Sequence, residues 1–235
     1  MKIALAQVNP IVGDIASNTN KIISIIKKTN ADIIVFPELC ITGYSPQDLL
    51  LKSSFLEENK NALRRIIQNT RNKAAIVGFA EKIEDELYNS AAVIKDQHTI
   101  AIHRKEKLPN YAIFDEKRWF AAGNNTTIFE LEGKKIGVNV CEDIWFEDSA
   151  KKLKNKGAEL IINISASPYR KGKIEAIENI LRQRWNENKI PIIYVNQVGG
   201  QDGIIFYGHS MHFRDGKAAK KCRDFEEEIL IIDLK

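Results

Sequence analysis

Cysteine is scarce in this sequence: three in 235 residues, Cys40, Cys141 and Cys222, far apart and odd in number. That argues against a disulfide framework and offers none of the paired spacings of a zinc site, so the expected setting is reducing and cytoplasmic. Long apolar runs are missing too. No stretch reaches the ~18 consecutive apolar residues that span a bilayer, and the opening MKIALAQVNP is too short for a secretory leader. Neither membrane insertion nor export is expected. Charge of one sign nowhere dominates, because 35 Lys and Arg are scattered among 31 Asp and Glu for a net charge of +4. Nucleic-acid binding calls for a basic block or stripe, so nucleic acid is not an expected partner. Repeats, low-complexity tracts and linkers are absent as well. With 44% hydrophobic residues the chain is large enough for one substantial core, and a single domain over 1–235 is expected.

What is present is an alternation of short apolar strands and amphipathic helices. Residues 2–8 alternate as a strand, and residues 18–28 place Ile22, Ile23, Ile25 and Ile26 at helical spacing with lysines opposite. A strand over 32–36, a helix over 55–69 and a strand over 74–79 follow. Residues 87–94 and 99–104 read as a hairpin around Asp96-Gln97-His98. The second half repeats the alternation: a strand ending at Val140, a helix over 148–156 closed by Gly157, a strand over 159–164, a helix over 173–188 and a strand over 191–195. A last pair of strands is expected near 210–213 and 228–233. Strand following helix in succession implies a mainly parallel or mixed sheet covered by helices, an α/β fold.

Three of these strands end on a residue with chemical use: Glu38 after IIVFP, Lys105 after IAIHR, and Cys141 after GVNV, followed at once by Glu142 and Asp143. Ligands of α/β sheets collect at such edges, where rigid strands fix the side chains. A carboxylate there takes the thiol proton, the thiolate attacks a carboxyl-type carbon, and the ammonium stabilises the developing oxyanion. Read singly, each residue has a plainer account: an exposed glutamate, a solvated lysine, a buried inert thiol.

Taken together and in this order, Glu38, Lys105 and Cys141 resemble the Glu-Lys-Cys triad of the nitrilase superfamily of carbon-nitrogen hydrolases. The motifs YSPQDLL (44–50), KEKLPNY (105–111), FDEKR (114–118), CEDIW (141–145), SASPY (165–169) and NQVGGQD (196–202) look more particularly like the glutaminase domain of glutamine-dependent NAD synthetases. The resemblance covers essentially the whole sequence. It implies a four-layer α-β-β-α sandwich, dimerising or assembling further through a helical face, and hydrolysis of L-glutamine to glutamate and ammonia through a thioester on Cys141. By the same resemblance Glu38 is the general base, Lys105 the catalytic lysine, and Glu116 the auxiliary glutamate that holds the lysine and the substrate amide. Tyr111, Glu142, Ser167 and Lys173 match the residues that bind glutamine. The backbone of Glu142 would complete an oxyanion hole, and its carboxylate would meet the α-ammonium. Tyr111 and Ser167 also read as packing or turn residues, and Lys173 as a first-turn helix lysine. Lys107 reads as a surface charge.

The glutaminase half-reaction needs no metal or organic cofactor. ATP, Mg and deamido-NAD belong to a synthetase domain that this sequence lacks, expected in cis in a longer protein or in trans. The alternatives are a stand-alone ω-amidase for another small amide, and an idle binding module. Three features are set aside. NQVGGQDG has Val198 and Gly203 where a pyrophosphate loop carries serines, so it reads as a turn. His209 and His212 read as structural, and Cys40 as a bystander on the floor of the site.

Overall fold

The computed structural model describes residues 1–234; Lys235, the last residue of the expected domain, lies outside the described residues. The first half runs β1 (Lys2–Gln7), α1 (Ile15–Lys28), β2 (Ile33–Val35), α2 (Ser53–Asn69), β3 (Ala74–Ile83), β4 (Glu86–Lys95) and β5 (His98–Arg104). The second runs β6 (Thr127–Leu131), β7 (Lys134–Val140), α3 (Glu147–Asn155), β8 (Leu160–Ser165), α4 (Lys173–Asn188) and β9 (Ile192–Asn196), then β10 (Val198–Gln201), β11 (Ile204–Tyr207), β12 (Met211–Arg214), β13 (Lys217–Lys221) and β14 (Glu228–Asp233).

Two six-stranded sheets result, in the orders β14-β1-β2-β3-β4-β5 and β13-β12-β9-β8-β7-β6, with β10-β11 as a separate hairpin. Each large sheet has three parallel strands at its centre and antiparallel strands outside them. Side-chain alternation decides what each face meets. Ile33 and Val35 of β2 point between the sheets with Ile3, Leu5, Val138 and Ile162, whereas Ile34 and Phe36 join a second cluster under α1 and α2. Ala4, Ala6 and Ala75 on that outer face are small, which lets the helices seat closely. A third cluster packs Leu153, Ile177 and Leu181 of α3 and α4 on Ile161, Ile192 and Tyr194. The layers are therefore α-β-β-α, as expected.

Local signals explain the helix limits. The side chain of Asp14 accepts from the backbone N–H of Ser17 at 3.0 Å and caps α1, so this helix begins three residues before its isoleucine stripe suggested. Lys27 and Lys28 face the negative end of its dipole. Elsewhere the structure corrects the pattern. The β4-β5 turn is Asp96-Gln97 alone, both with positive φ, and His98 belongs to β5. The strands near 210–213 and 228–233 are not partners: β12 pairs with β9 and β13 in one sheet, and β14 pairs with β1 in the other. β6, β10, β11 and β13 were not expected at all. β6 and β13 are edge strands and β10-β11 is a short hairpin, and half-exposed strands like these carry a weak apolar signal. Among the described residues no helix is long and apolar enough to cross a membrane.

Candidate active site

Where β2, β5 and β7 stop, three side chains are brought to one place. Lys105, the residue after β5, is fully buried, and its Nζ donates to Glu38 Oε1 at 2.7 Å and to Glu116 Oε1 at 2.8 Å. Burial opposes a charged ammonium, yet the carboxylates of Glu116 and Glu38 hold Lys105 well above its ordinary pKa. It is a cation held between two carboxyl groups. Glu116 shares that cation, and burial followed by repulsion from Glu38 raises its pKa to about 7 against the pull of Lys105.

Glu38 is held from three sides. Besides Lys105, Asn89 Nδ2 donates to Oε1 at 2.7 Å, and the backbone N–H of Ala166, just beyond β8, donates to Oε2 at 2.7 Å. The last bond ties one sheet's loop to the other sheet. Gly78 of β3 lies beneath this loop: a Cβ there would stand 2.4 Å from Leu39 N and 2.5 Å from Pro37 O, so only glycine allows so close an approach. On Glu116, Oε1 also accepts from the Tyr44 hydroxyl at 2.7 Å, while Oε2 is buried with no partner. A cavity of about 250 Å³, lined in part by Tyr44, Phe114, Glu116, Trp119 and Ile204, adjoins it.

Cys141 follows β7 directly and opens a 3₁₀ turn, Cys141–Trp145, with φ +46°. This left-handed backbone is strained for a residue with a Cβ and turns the thiol off the strand end. Burial, then the charge of Glu38, pushes the thiol well above the ordinary cysteine value, with Lys105 acting in the opposite sense. The turn rests on a polar ladder inside the sheet: Asn163 Nδ2 donates to Asn139 Oδ1 at 2.7 Å and to Cys141 O at 3.4 Å.

Of the other expected residues, Tyr111, Glu142 and Lys173 lie within electrostatic reach of the thiol. Tyr111 is half exposed, and its hydroxyl lies 3.0 and 3.1 Å from the two carboxylate oxygens of Glu142. Burial raises the Glu142 pKa, against that hydrogen bond and the charges of Lys105 and Lys173. Lys173, the first residue of α4, is buried with its Nζ 4.1 Å from the centre of the Trp145 ring, and burial draws its pKa down while Cys141 and Glu142 oppose this. Ser167 is buried, and Asn196 brackets its backbone, accepting from its N–H at 2.8 Å and donating to its carbonyl at 3.2 Å. Lys107 reaches outward to Asp148 at 2.9 Å, away from the cage.

Asn89, Tyr44, Asn139, Asn163 and Asn196 were missed at the sequence level. A signal was available for most of them, because each asparagine interrupts an otherwise apolar strand, where an amide persists only if something satisfies it. The set-aside features also find places. NQVGGQDG forms β10 and the Asp202-Gly203 turn into β11. His209 is buried between Asp224 Oδ1 at 2.6 Å and Glu178 Oε1 at 3.0 Å, and burial draws His212 down to about 4. Cys40 lies in the cluster under α1 and α2, which also holds Tyr44 and Ala166, and its thiol donates to Gly78 O at 3.5 Å.

A buried thiol on a strand-end elbow, a lysine caged by two glutamates and four α-β-β-α layers define a nitrilase-type sandwich. The carbon-nitrogen hydrolase family profile matches residues 2–235, and the chain belongs to that family. The glutamine-dependent NAD(+) synthetase of Thermotoga maritima is 40% identical over 242 residues, covering 100% of this chain and 42% of that protein. Its Aquifex aeolicus counterpart is 41% identical over 239 residues, with the same coverages. The structure of the Acinetobacter baumannii glutamine-dependent NAD+ synthetase superimposes with a TM-score of 0.91 at 38% identity, over 98% of this chain and 44% of that one. An amidase of Nesterenkonia shares the fold, with a TM-score of 0.89 at 23% identity over 100% of this chain and 90% of its own. The chain thus spans less than half the length of the curated synthetases it matches.

Proposed function

We propose that this domain hydrolyses the side-chain amide of L-glutamine to glutamate and ammonia, and that the ammonia passes to an ATP-dependent synthetase that amidates deamido-NAD. The observation that carries the chemistry is the caged lysine: one buried ammonium bonded to two carboxylates, within electrostatic reach of a buried thiol. The likeness to the synthetases, at about 40% identity across the whole chain, supports glutamine as the amide.

The thiol is neutral at rest, since burial and Glu38 both oppose the thiolate. Cys141 therefore loses its proton to Glu38 as its sulfur attacks the amide carbon. The third N–H of Lys105 and the backbone N–H of Glu142 receive the oxyanion. Glu116 Oε2, buried and unpartnered, accepts from the amide NH₂. Glu38 then gives that proton to the amide nitrogen, the C–N bond breaks to leave the thioester and ammonia, and water attacks the thioester with Glu38 again as base. Lys173 takes the α-carboxylate, Glu142 and Tyr111 the α-ammonium, and Ser167 lines the pocket. ATP, Mg and deamido-NAD would act at the synthetase, in cis or in trans, and the resemblance implies a homo-oligomer assembled through a helical face.

The test is ammonia release from L-glutamine, with intact mass after a diazo-ketone glutamine analogue. Turnover with a single adduct on Cys141 supports the proposal; a faster small amide, or neither turnover nor adduct, counts against it.

Glu116 gives the reaction a pH dependence. If its ionised form accepts from the amide, kcat/KM rises as pH passes through about 7, and Glu116→Gln lowers the rate and flattens that limb. Stability runs the other way. The folded state holds this proton more tightly than the unfolded chain, so the contribution of Glu116 is fully present below the ordinary value of 4.5 and is lost as pH rises through about 7. Rate profiles and thermal midpoints at pH 5 and 8 check both; an acid limb unchanged in Glu116→Gln rejects this role.

A further inference from the structure

We infer that Asp143 is a positioning residue that fixes the segment bearing Lys105 against the turn bearing Cys141. The inference rests on the reading of Lys105 and Cys141 as partners in one reaction. Asp143 is fully buried, and its carboxylate accepts four hydrogen bonds. Oδ1 takes the backbone N–H groups of Glu106 and Lys107 at 3.0 and 2.8 Å, the two residues that follow Lys105. Oδ2 takes the backbone N–H of Val140, the residue before Cys141, at 2.9 Å, and His103 Nε2 at 3.0 Å. One side chain thus staples both sides of the site. His103 stands on β5, two residues before Lys105, and its other ring nitrogen lies 3.3 Å from Thr127 Oγ1. The staple therefore reaches Lys105 from before and after.

The two strands belong to different sheets, so no ladder sets this separation. β5 is the edge strand of one sheet, and β7 lies one strand in from the edge of the other. Lys105 still donates its N–H to Asn89 O of β4 at 2.9 Å, and beyond it the Asp143 bonds hold the backbone N–H groups of residues 106 and 107, whose side chains reach Lys152 and Asp148. A carboxylate suits the task because all its positions accept. An asparagine there presents an NH₂ on one side. Turned one way it opposes the Glu106 and Lys107 N–H groups, and turned the other it opposes the Val140 N–H, which has no tautomer to switch.

The experiment compares Asp143→Asn and His103→Phe with the wild-type chain, reading ammonia release, alkylation of Cys141 by iodoacetamide, and the thermal midpoint. A displacement of about 1 Å in a reacting group lowers turnover on the order of 100-fold. That loss is expected in kcat of Asp143→Asn, with KM for glutamine and the alkylation rate each within about 3-fold, because the amide pocket and the thiol remain. Unchanged kcat overturns the inference, as does a rise in KM and a fall in alkylation each as large as the fall in kcat. If Asp143→Asn fails to fold, His103→Phe decides. It keeps the ring but removes one of the four donors, and a selective fall in kcat supports the staple while no fall rejects it. If the wild-type chain releases no ammonia, the functional reading fails separately. Asp143 is then judged from the crystal structure of Asp143→Asn, where movement of residues 104–107 relative to 140–143 supports positioning and their coincidence with wild type refutes it.

Discussion

Cys141→Ala loses ammonia release by at least ~10³-fold while the domain stays folded: that is the expected result, since removing a nucleophile leaves only binding and oxyanion stabilisation. The thiol contributes little to the fold. It occupies the mouth of the inter-sheet cluster, 6% exposed, and the turn it opens is held by backbone and Asn163 bonds that alanine keeps. Its loss is a single-atom truncation costing about 1 kcal/mol, which for a domain of this size lowers the midpoint by roughly 2–4 °C. Alanine also keeps the left-handed backbone at φ +46°, since it too has a Cβ. A coupled ammonia assay and a circular-dichroism melt are sufficient. More than about 1% residual turnover rejects Cys141 as nucleophile, and a variant that does not fold assigns the thiol to packing.

Lys105→Met has the larger structural consequence. Methionine fills much of the lysine volume but leaves Glu38 and Glu116 as facing buried carboxylates without a cation. Breaking a buried pair from one side costs about 3–5 kcal/mol, or a fall of roughly 10 °C in the midpoint, together with essentially all turnover. The size should depend on pH, because the carboxylates relieve the mismatch by binding a proton. Native Lys105→Met holds its carboxyl protons more tightly than the native wild type does, so its deficit is smaller at pH 5 than at pH 8. Adding Glu116→Gln removes one of the two charges and should restore part of the stability and none of the activity. Melts at both pH values decide the point, and an equal deficit at pH 5 and pH 8 contradicts the caged-cation account.

The β10-β11 hairpin and the path of β14 show where sequence reasoning stopped. NQVGGQDG was legible as a turn, but its strands are four residues each and half exposed, so periodicity had little to register. β14 was found as a strand and assigned the wrong neighbour. It crosses back to pair with β1 in the first sheet, a contact between residues more than two hundred apart that no local pattern encodes.

What the sequence determined by itself was local: the apolar strands buried on both faces, the isoleucine stripe of α1, and the three strand ends that deliver Glu38, Lys105 and Cys141. These follow from alternation, helical spacing and the abrupt stop of an apolar run, all carried by neighbouring residues. Only the tertiary structure decided which ends meet and in what electrostatic state. The Glu38 bond to Ala166 N spans 128 positions in the chain, and the Lys105 bond to Glu38 spans 67. The first depends on two sheets closing face to face, and the second on β2 and β5 ending on the same side of one sheet with β3 and β4 between them. That closure removes water from one lysine, three carboxylates and one thiol at once, and the loss of water sets the protonation of Glu116 and Cys141, which no short window of sequence carries.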